Sequence, residues 1–367
     1  MNEYKTIKKY IRRFSEDGYF SSFSSAELFI NIFDKKKYIF SFVNNFYYDS
    51  LGIQLFINNN GFNYVHDILT VNSDNMLVAG RIDSICAIFL KKELLTDDDI
   101  AFIHKMGSRV TKDDNLVVYR YELGYMKRYA NKKEMEQVIS NSEFILSLIG
   151  DNYDDVNKSF DEDKIPLSLI DRTKYEYITK YIPLPNLETM PKKLPVNEQV
   201  VQEFMTKNYL SDECYLFTAY TPLIIKETGV RPVLLYFLFP KSGRVIFKYI
   251  TDKPKEYKNY IFGILDDVFT KEGIPEKMYI NDRNIYSYLA KTLDYIHVEY
   301  ELLLEENNVD FNLMSAVEKL YRNSEELYLE SKDGIEMVLE LIITELNAIC
   351  DKIVDEDDEI EDDKIVV

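Results

Sequence analysis

A chain of 367 residues, 46% hydrophobic and 29% charged, is longer than one core usually serves and far from a disordered composition, so two globular modules are expected. Its formal charge of -19, from 63 acidic against 44 basic side chains, repels phosphate backbones and anionic membranes on average, which argues against direct nucleic-acid binding without a local basic patch. Cys86, Cys214 and Cys350 lie far apart with no paired spacing, which argues against a disulfide framework or a zinc site and suits a reducing, cytoplasmic compartment.

Tyr4, Ile7, Ile11 and Phe14 recur at helical spacing, so the first element expected is an amphipathic helix carrying Lys5, Lys8, Lys9, Arg12 and Arg13. That cluster is the only concentrated positive charge, and its simplest role is a solvated face. The segment Met1 to Phe14 lacks the apolar core of a secretory signal, and no window approaches the ~20 apolar residues that span a bilayer. From Lys37 the period changes to two: Tyr38 to Val43 and Gly52 to Ile57 predict antiparallel strands. Gly61 to Leu69 predicts a helix and Ser84 to Leu90 a buried strand. Thr96, Asp97, Asp98 and Asp99 then open a helix with Ile100, Ile103 and His104; carboxylates in a first turn satisfy exposed amides and the dipole, so the three aspartates predict capping rather than a metal site.

Asn115 to Tyr121 predicts a strand, and Lys132 to Ile149 a helix closed by Gly150. The acidic stretch Asp151 to Asp163 predicts a solvated loop. Asp151 and Glu162 have the first-to-twelfth spacing of a calcium loop, but Tyr153 and Val156 stand where such a loop needs an oxygen ligand and glycine. After a strand at Tyr175 to Ile182, Pro183, Pro185, Pro191 and Pro195 mark a linker over 183–195. The expected organisation is an α+β module with an antiparallel sheet at 1–182, a second α/β module at 196–354, and an acidic tail at 355–367. The tail, in which only Ile360 breaks the acidic run 355–363, predicts a solubilising segment or a partner-docking mimic of nucleic acid.

The second module is the more regular. A helix through Val200, Val201 and Phe204 precedes strands at Cys214 to Thr221, Arg231 to Phe239 and Arg244 to Thr251, the last two joined by a Lys241-Ser242-Gly243 turn. Tyr257, Tyr260, Ile261, Ile264, Leu265, Val268 and Phe269 trace one helical face that stops at Gly273. A strand at Glu276 to Asn281, a helix at Ile285 to Tyr295, a strand at His297 to Leu303 and two further helices follow, the last with Ile335, Val338, Leu339, Ile342, Leu346, Ile349 and Ile353 on one face.

This order of elements resembles the ribonuclease H-like fold of integrases and transposases. Gly273-Ile274-Pro275-Glu276-Lys277-Met278-Tyr279-Ile280-Asn281-Asp282 is similar to their segment carrying the second catalytic aspartate, which the resemblance places at Asp282. The whole chain also resembles a two-module bacterial family of unknown function, over about Phe33 to Asn152 and Arg231 to Leu320. Two-metal phosphoryl chemistry needs three converging carboxylates, because closely spaced divalent cations otherwise repel and drift. In such folds the first stands in the middle of the first strand. Taking that strand as Val233 to Pro240, no acid is present, and Phe239 or Pro240 occupies its place.

The expected function is therefore non-catalytic binding, to a protein or small ligand through a groove rich in Tyr and Phe, with no cofactor and no metal. The alternative is an Mg²⁺- or Mn²⁺-dependent phosphodiesterase using Asp282, Glu318 (thirty-five residues between them) and a displaced third acid such as Asp310. A third possibility is sequestration of a basic partner by the acidic tail. Local signatures of serine hydrolase, P-loop, dinucleotide and zincin sites are absent. His66, His104 and His297 are the only histidines. His297, close to Glu299, is the one whose titration a carboxylate could shift.

Overall fold

A computed structural model describes residues 2–19, 28–33, 37–46, 50–57, 61, 82–161, 164–171, 176–183, 198–221, 223–250, 253–303, 327–329 and 344. The protein is α/β, with an almost wholly antiparallel sheet in one compact unit and a mixed sheet in another. Unit 1 comprises Met1–Leu69, Ile82–Glu122 and Lys127–Thr189; unit 2 comprises Thr70–Arg81, Leu123–Met126 and Met190–Val367.

Unit 1 opens with α1 (Asn2–Glu16), whose Tyr4, Ile7, Ile11 and Phe14 are wholly buried. Its sheet contains β1 (Leu28–Phe33), β2 (Lys37–Phe46), β3 (Ser50–Ile57), β4 (Ser84–Leu90), β5 (Asn115–Tyr121), β6 (Arg128–Tyr129), β7 (Lys164–Asp171) and β8 (Glu176–Pro183). The strand order is β6-β5-β4-β3-β2-β1-β7-β8, and every neighbouring pair is antiparallel except β1 with β7. A short helix α2 (Asp97–Lys105) lies between β4 and β5.

Helix α3 (Lys132–Asp161) corrects two expectations at once: it does not stop at Gly150, and most of the supposed acidic loop is its last three turns. The length fits the topology. From β6 to β7 the chain crosses six inter-strand steps of about 4.8 Å, roughly 29 Å. Thirty residues rise about 45 Å. Gly150 costs the helix only its intrinsic propensity, about 1 kcal/mol, which burial of Val156 beyond it offsets. Across the helix–sheet interface, Asn141 Nδ2 donates to Ser41 Oγ (2.6 Å) and Asn31 Nδ2 donates to Asn141 Oδ1 (2.5 Å), a buried polar pin in an apolar layer.

Unit 2 contains α4 (Glu198–Phe204), β9 (Tyr209–Tyr220), β10 (Leu223–Ile225), β11 (Val233–Phe239), β12 (Arg244–Ile250), a 3₁₀ turn at Pro254–Asn259, α5 (Ile261–Glu272), β13 (Ile274–Ile280), α6 (Arg283–Tyr295), β14 (Glu299–Leu302) and β15 (Leu327–Leu329). The five-stranded sheet has the order β12-β11-β9-β13-β14, antiparallel through β12, β11 and β9 and parallel through β9, β13 and β14. Strand β10 pairs separately with β15, in parallel.

The two-residue period sorts the side chains. Leu216, Phe237 and Met278 share one core with Leu265 of α5 and Leu289 of α6. On the other face Tyr215 stacks on Tyr279 at 4.4 Å, and Phe217, Tyr236 and Phe247 continue the ring contacts. Tyr215, Phe217 and Tyr236 are all buried.

Leu123–Met126, which chain order assigns to the first module, belongs to unit 2. Met126 N–H donates to Gly229 O at 2.8 Å and Arg231 N–H to Gly124 O at 2.9 Å. Gly124 has φ 73°, and a Cβ there would collide with Pro254 and Tyr220, so only glycine fits. No described helix is long and apolar enough to cross a membrane.

Candidate functional site

Asp282 follows the end of β13 and caps α6. It is 3% exposed. Oδ1 accepts the backbone N–H of Asn284 (2.7 Å) and of Ile285 (3.1 Å), and Oδ2 accepts the Tyr257 hydroxyl (2.7 Å). This is the bonding of an N-cap reinforced by a buried phenol, and it occupies both carboxylate oxygens. A cation at Oδ2 would have to share that oxygen with the hydroxyl of Tyr257, itself buried and edge-on to Tyr220 at 6.4 Å.

The strand beside Asp282 is β9. Val233 to Pro240, the stretch in which an acid was sought, contains β11, and β9 lies between that strand and β13. Leu216 is in register with Ile280, and Asn281 Oδ1 accepts the Thr218 N–H at 2.9 Å, so the residues level with Asp282 are Leu216, Phe217 and Thr218. Asp212 and Glu213 lie at the opposite end of β9. Six residues of strand put Asp212 about 20 Å from Thr218.

Asp212 is a buried acid that sequence reasoning missed. It accepts N–H groups from Glu213 (2.8 Å), Lys241 (3.2 Å) and Ser242 (3.2 Å), and so fastens the β11–β12 turn to the start of β9. No local signal could reveal this, because Lys241 and Ser242 lie about thirty residues away.

His297 is exposed with φ 56°, at the residue past the end of α6 where glycine usually sits. Val298 N–H donates to Leu293 O at 3.0 Å and His297 N–H to Asp294 O at 3.3 Å, the double closure of a helix terminus. The residue serves helix termination. His104 is exposed on α2; His66, Asp310, Glu318, Cys350 and the acidic tail lie outside the described residues. Cys86 and Cys214 are buried free thiols, and burial pushes the Cys86 thiol up to about 12. Of the basic residues on α1, Lys8 donates to Asp114 O (2.9 Å), Arg12 pairs with the Asp114 carboxylate (2.9 Å) and Arg13 with Asp17 (3.3 Å). Among the described residues no three of His, Cys, Asp and Glu are grouped so as to hold a metal ion.

The triple aspartate at α2 divides its labour. Asp97 and Asp98 are exposed, whereas Asp99 is 2% exposed and forms a capping box with Thr96. Asp99 Oδ2 accepts the Thr96 N–H (3.0 Å) and hydroxyl (2.8 Å), while Oδ1 accepts the hydroxyls of Tyr119 (2.7 Å) and Tyr129 (2.8 Å). Burial alone would raise its pKa, but these donors together hold the carboxyl below its usual value. Both tyrosines are pushed upward, first by burial and then by the same carboxylate.

Beside this cluster lies a cleft of about 570 Å³, lined by Asp98, Phe102, Lys105, Met106, Tyr129 and Met135 among others. The Phe102 and Tyr129 rings stack at 4.3 Å, so the wall is rigid and apolar below a charged rim. Behind it, Glu134 is held by paired bonds from Arg128 (2.8 and 2.6 Å) and accepts the Asn131 N–H (2.8 Å), which fixes the start of α3. Buried Arg120 bonds to Asp83 and lies 3.4 Å from Glu134. The sequence held one signal for the cleft, the i, i+3, i+4, i+7 spacing of Asp98, Ala101, Phe102 and Lys105. Compared with family models, with curated proteins and with solved structures, the chain matches none.

Proposed function

We propose that this chain is a non-catalytic binding protein of the cytoplasm, in which unit 2 is a ribonuclease H-like core without a working acid site. The strand order supports the scaffold: an antiparallel group β12, β11 and β9 is extended by parallel β13 and β14, with the resembling aspartate just after β13. What carries the functional reading is the bonding of Asp282. Its oxygens are committed to two amides of its own helix and to Tyr257, and the neighbouring strand presents Leu216 and Thr218 rather than an acid. A carboxylate so engaged stabilises a fold instead of bridging cations. Protein or small-ligand recognition remains as the role, with the unit 1 cleft as one concavity among the described residues.

The test is thermal unfolding of the full chain against Mg²⁺ and Mn²⁺ at matched ionic strength. Binding proteins of this kind show no saturable change in midpoint. A saturable rise that disappears in Asp282→Asn would sink the proposal, since any ligand of the folded state stabilises it by mass action.

A further inference from the structure

Asp98, Ala101, Phe102 and Lys105 all line the unit 1 cleft, and their spacing puts them on one face of α2. That face presents in line an acid, two apolar side chains and a base. Seven residues at a rise of 1.5 Å separate the two charges by about 10 Å along the helix. Both are exposed, and neither has an ion-pair partner among the described residues, whereas Lys132 on the opposite rim is 3.4 Å from Glu3. Between the charges the floor is the flat Phe102–Tyr129 stack, flanked by the thioethers of Met106 and Met135, which adapt to varied apolar shapes.

From this order we infer that the cleft binds a short zwitterionic peptide of about three residues, its ammonium group at Asp98, its carboxylate at Lys105 and an apolar side chain over Phe102 and Met135. Three extended residues span about 10 Å, matching the charge separation. The volume of about 570 Å³ falls within the usual range for small-ligand pockets. An acid in the first turn and a base in the last also complement the helix dipole, so the test must separate ligand recognition from that structural service. The inference rests on the binding-protein reading and names its ligand class.

The experiment uses the full chain with ¹³C-methyl methionine and the probe Ala-Phe-Ala with free termini, alongside its N-acetylated and C-amidated forms. The free peptide shifts the Met106 and Met135 methyl resonances saturably, and blocking either terminus weakens it about fivefold, as expected for an exposed charge pair. Asp98→Asn weakens the free peptide about fivefold but leaves the N-acetylated form unchanged; Lys105→Gln does the same for the C-amidated form. Ala101→Trp fills the cleft and abolishes the shifts while the urea midpoint stays put. Equal affinity of all three peptides, or silence of both methyls toward all of them, overturns the inference. Manganese-dependent stabilisation lost in Asp282→Asn would remove the binding-protein reading while leaving these methyl shifts intact, so the two failures are distinguishable.

Discussion

The starts of α2 and α6 solve the same problem with the same chemistry and arrive at different surroundings. Each places a buried aspartate where helix amides are free, and each adds tyrosine hydroxyls as further donors: Tyr119 and Tyr129 to Asp99, Tyr257 to Asp282. At α6 the aspartate is sealed into the unit 2 core. At α2 one of its tyrosines, Tyr129, also forms the wall of an open cleft. A buried, hydrogen-bonded acid is thus a fold device in both units, and accessible chemistry depends on what lies beside it.

The sharpest break in that comparison would come at Asp282. Its replacement by alanine removes a cap and the acceptor of a buried phenol, so urea unfolding should show a loss of about 3 kcal/mol, whereas Asp282→Asn, a good cap, should lose less than about 1 kcal/mol. Equal losses would mean that charge rather than capping matters there. Next is Asp99→Asn, expected to cost about 2 kcal/mol at neutral pH, since three hydroxyls and an amide donate to the native carboxylate. Because the folded pKa of Asp99 is depressed, its contribution is complete above the unfolded carboxylate value of about 4 and is lost as pH falls through the lower folded value. A stability–pH profile of Asp99→Asn should therefore be flatter on its acid limb; an unchanged limb contradicts the account of that cluster.

Asp212→Ala should cost about 1.5 kcal/mol by loosening the β11–β12 turn, read as a lower urea midpoint. The smallest effect has the opposite sign. His297→Gly relieves a left-handed residue at the close of α6 and should gain about 1 kcal/mol in the same assay; a loss would give His297 a side-chain role beyond the helix terminus.

Local signals made much of this fold readable. The α1 stripe at Tyr4, Ile7, Ile11 and Phe14, the stop of α5 at Gly273 and the capping use of the aspartates at α2 follow from spacing and end chemistry alone. What escaped was decided by distant partners. Gly150 looked like a terminus because propensity is local, yet the helix continues to Asp161 and buries Val156 beyond the glycine. Sequence order did not say that β9 pairs with both β11 and β13 and so stands beside Asp282. Asp282 stood out in the sequence only through its resemblance to a catalytic aspartate, and its commitment to Asn284, Ile285 and Tyr257 needed coordinates. The cleft joins α2 to β6 and the start of α3 across some thirty residues, beyond the reach of any periodicity.

The most direct measurement is the count of Mn²⁺ ions held by the full chain and by Asp282→Asn, read from the free-ion paramagnetic resonance signal. If the α6 aspartate is a cap, both proteins withdraw the same amount of manganese from solution. Tight uptake of about two ions by the native chain, missing in the asparagine variant, would show that this carboxylate coordinates metal and would contradict the account.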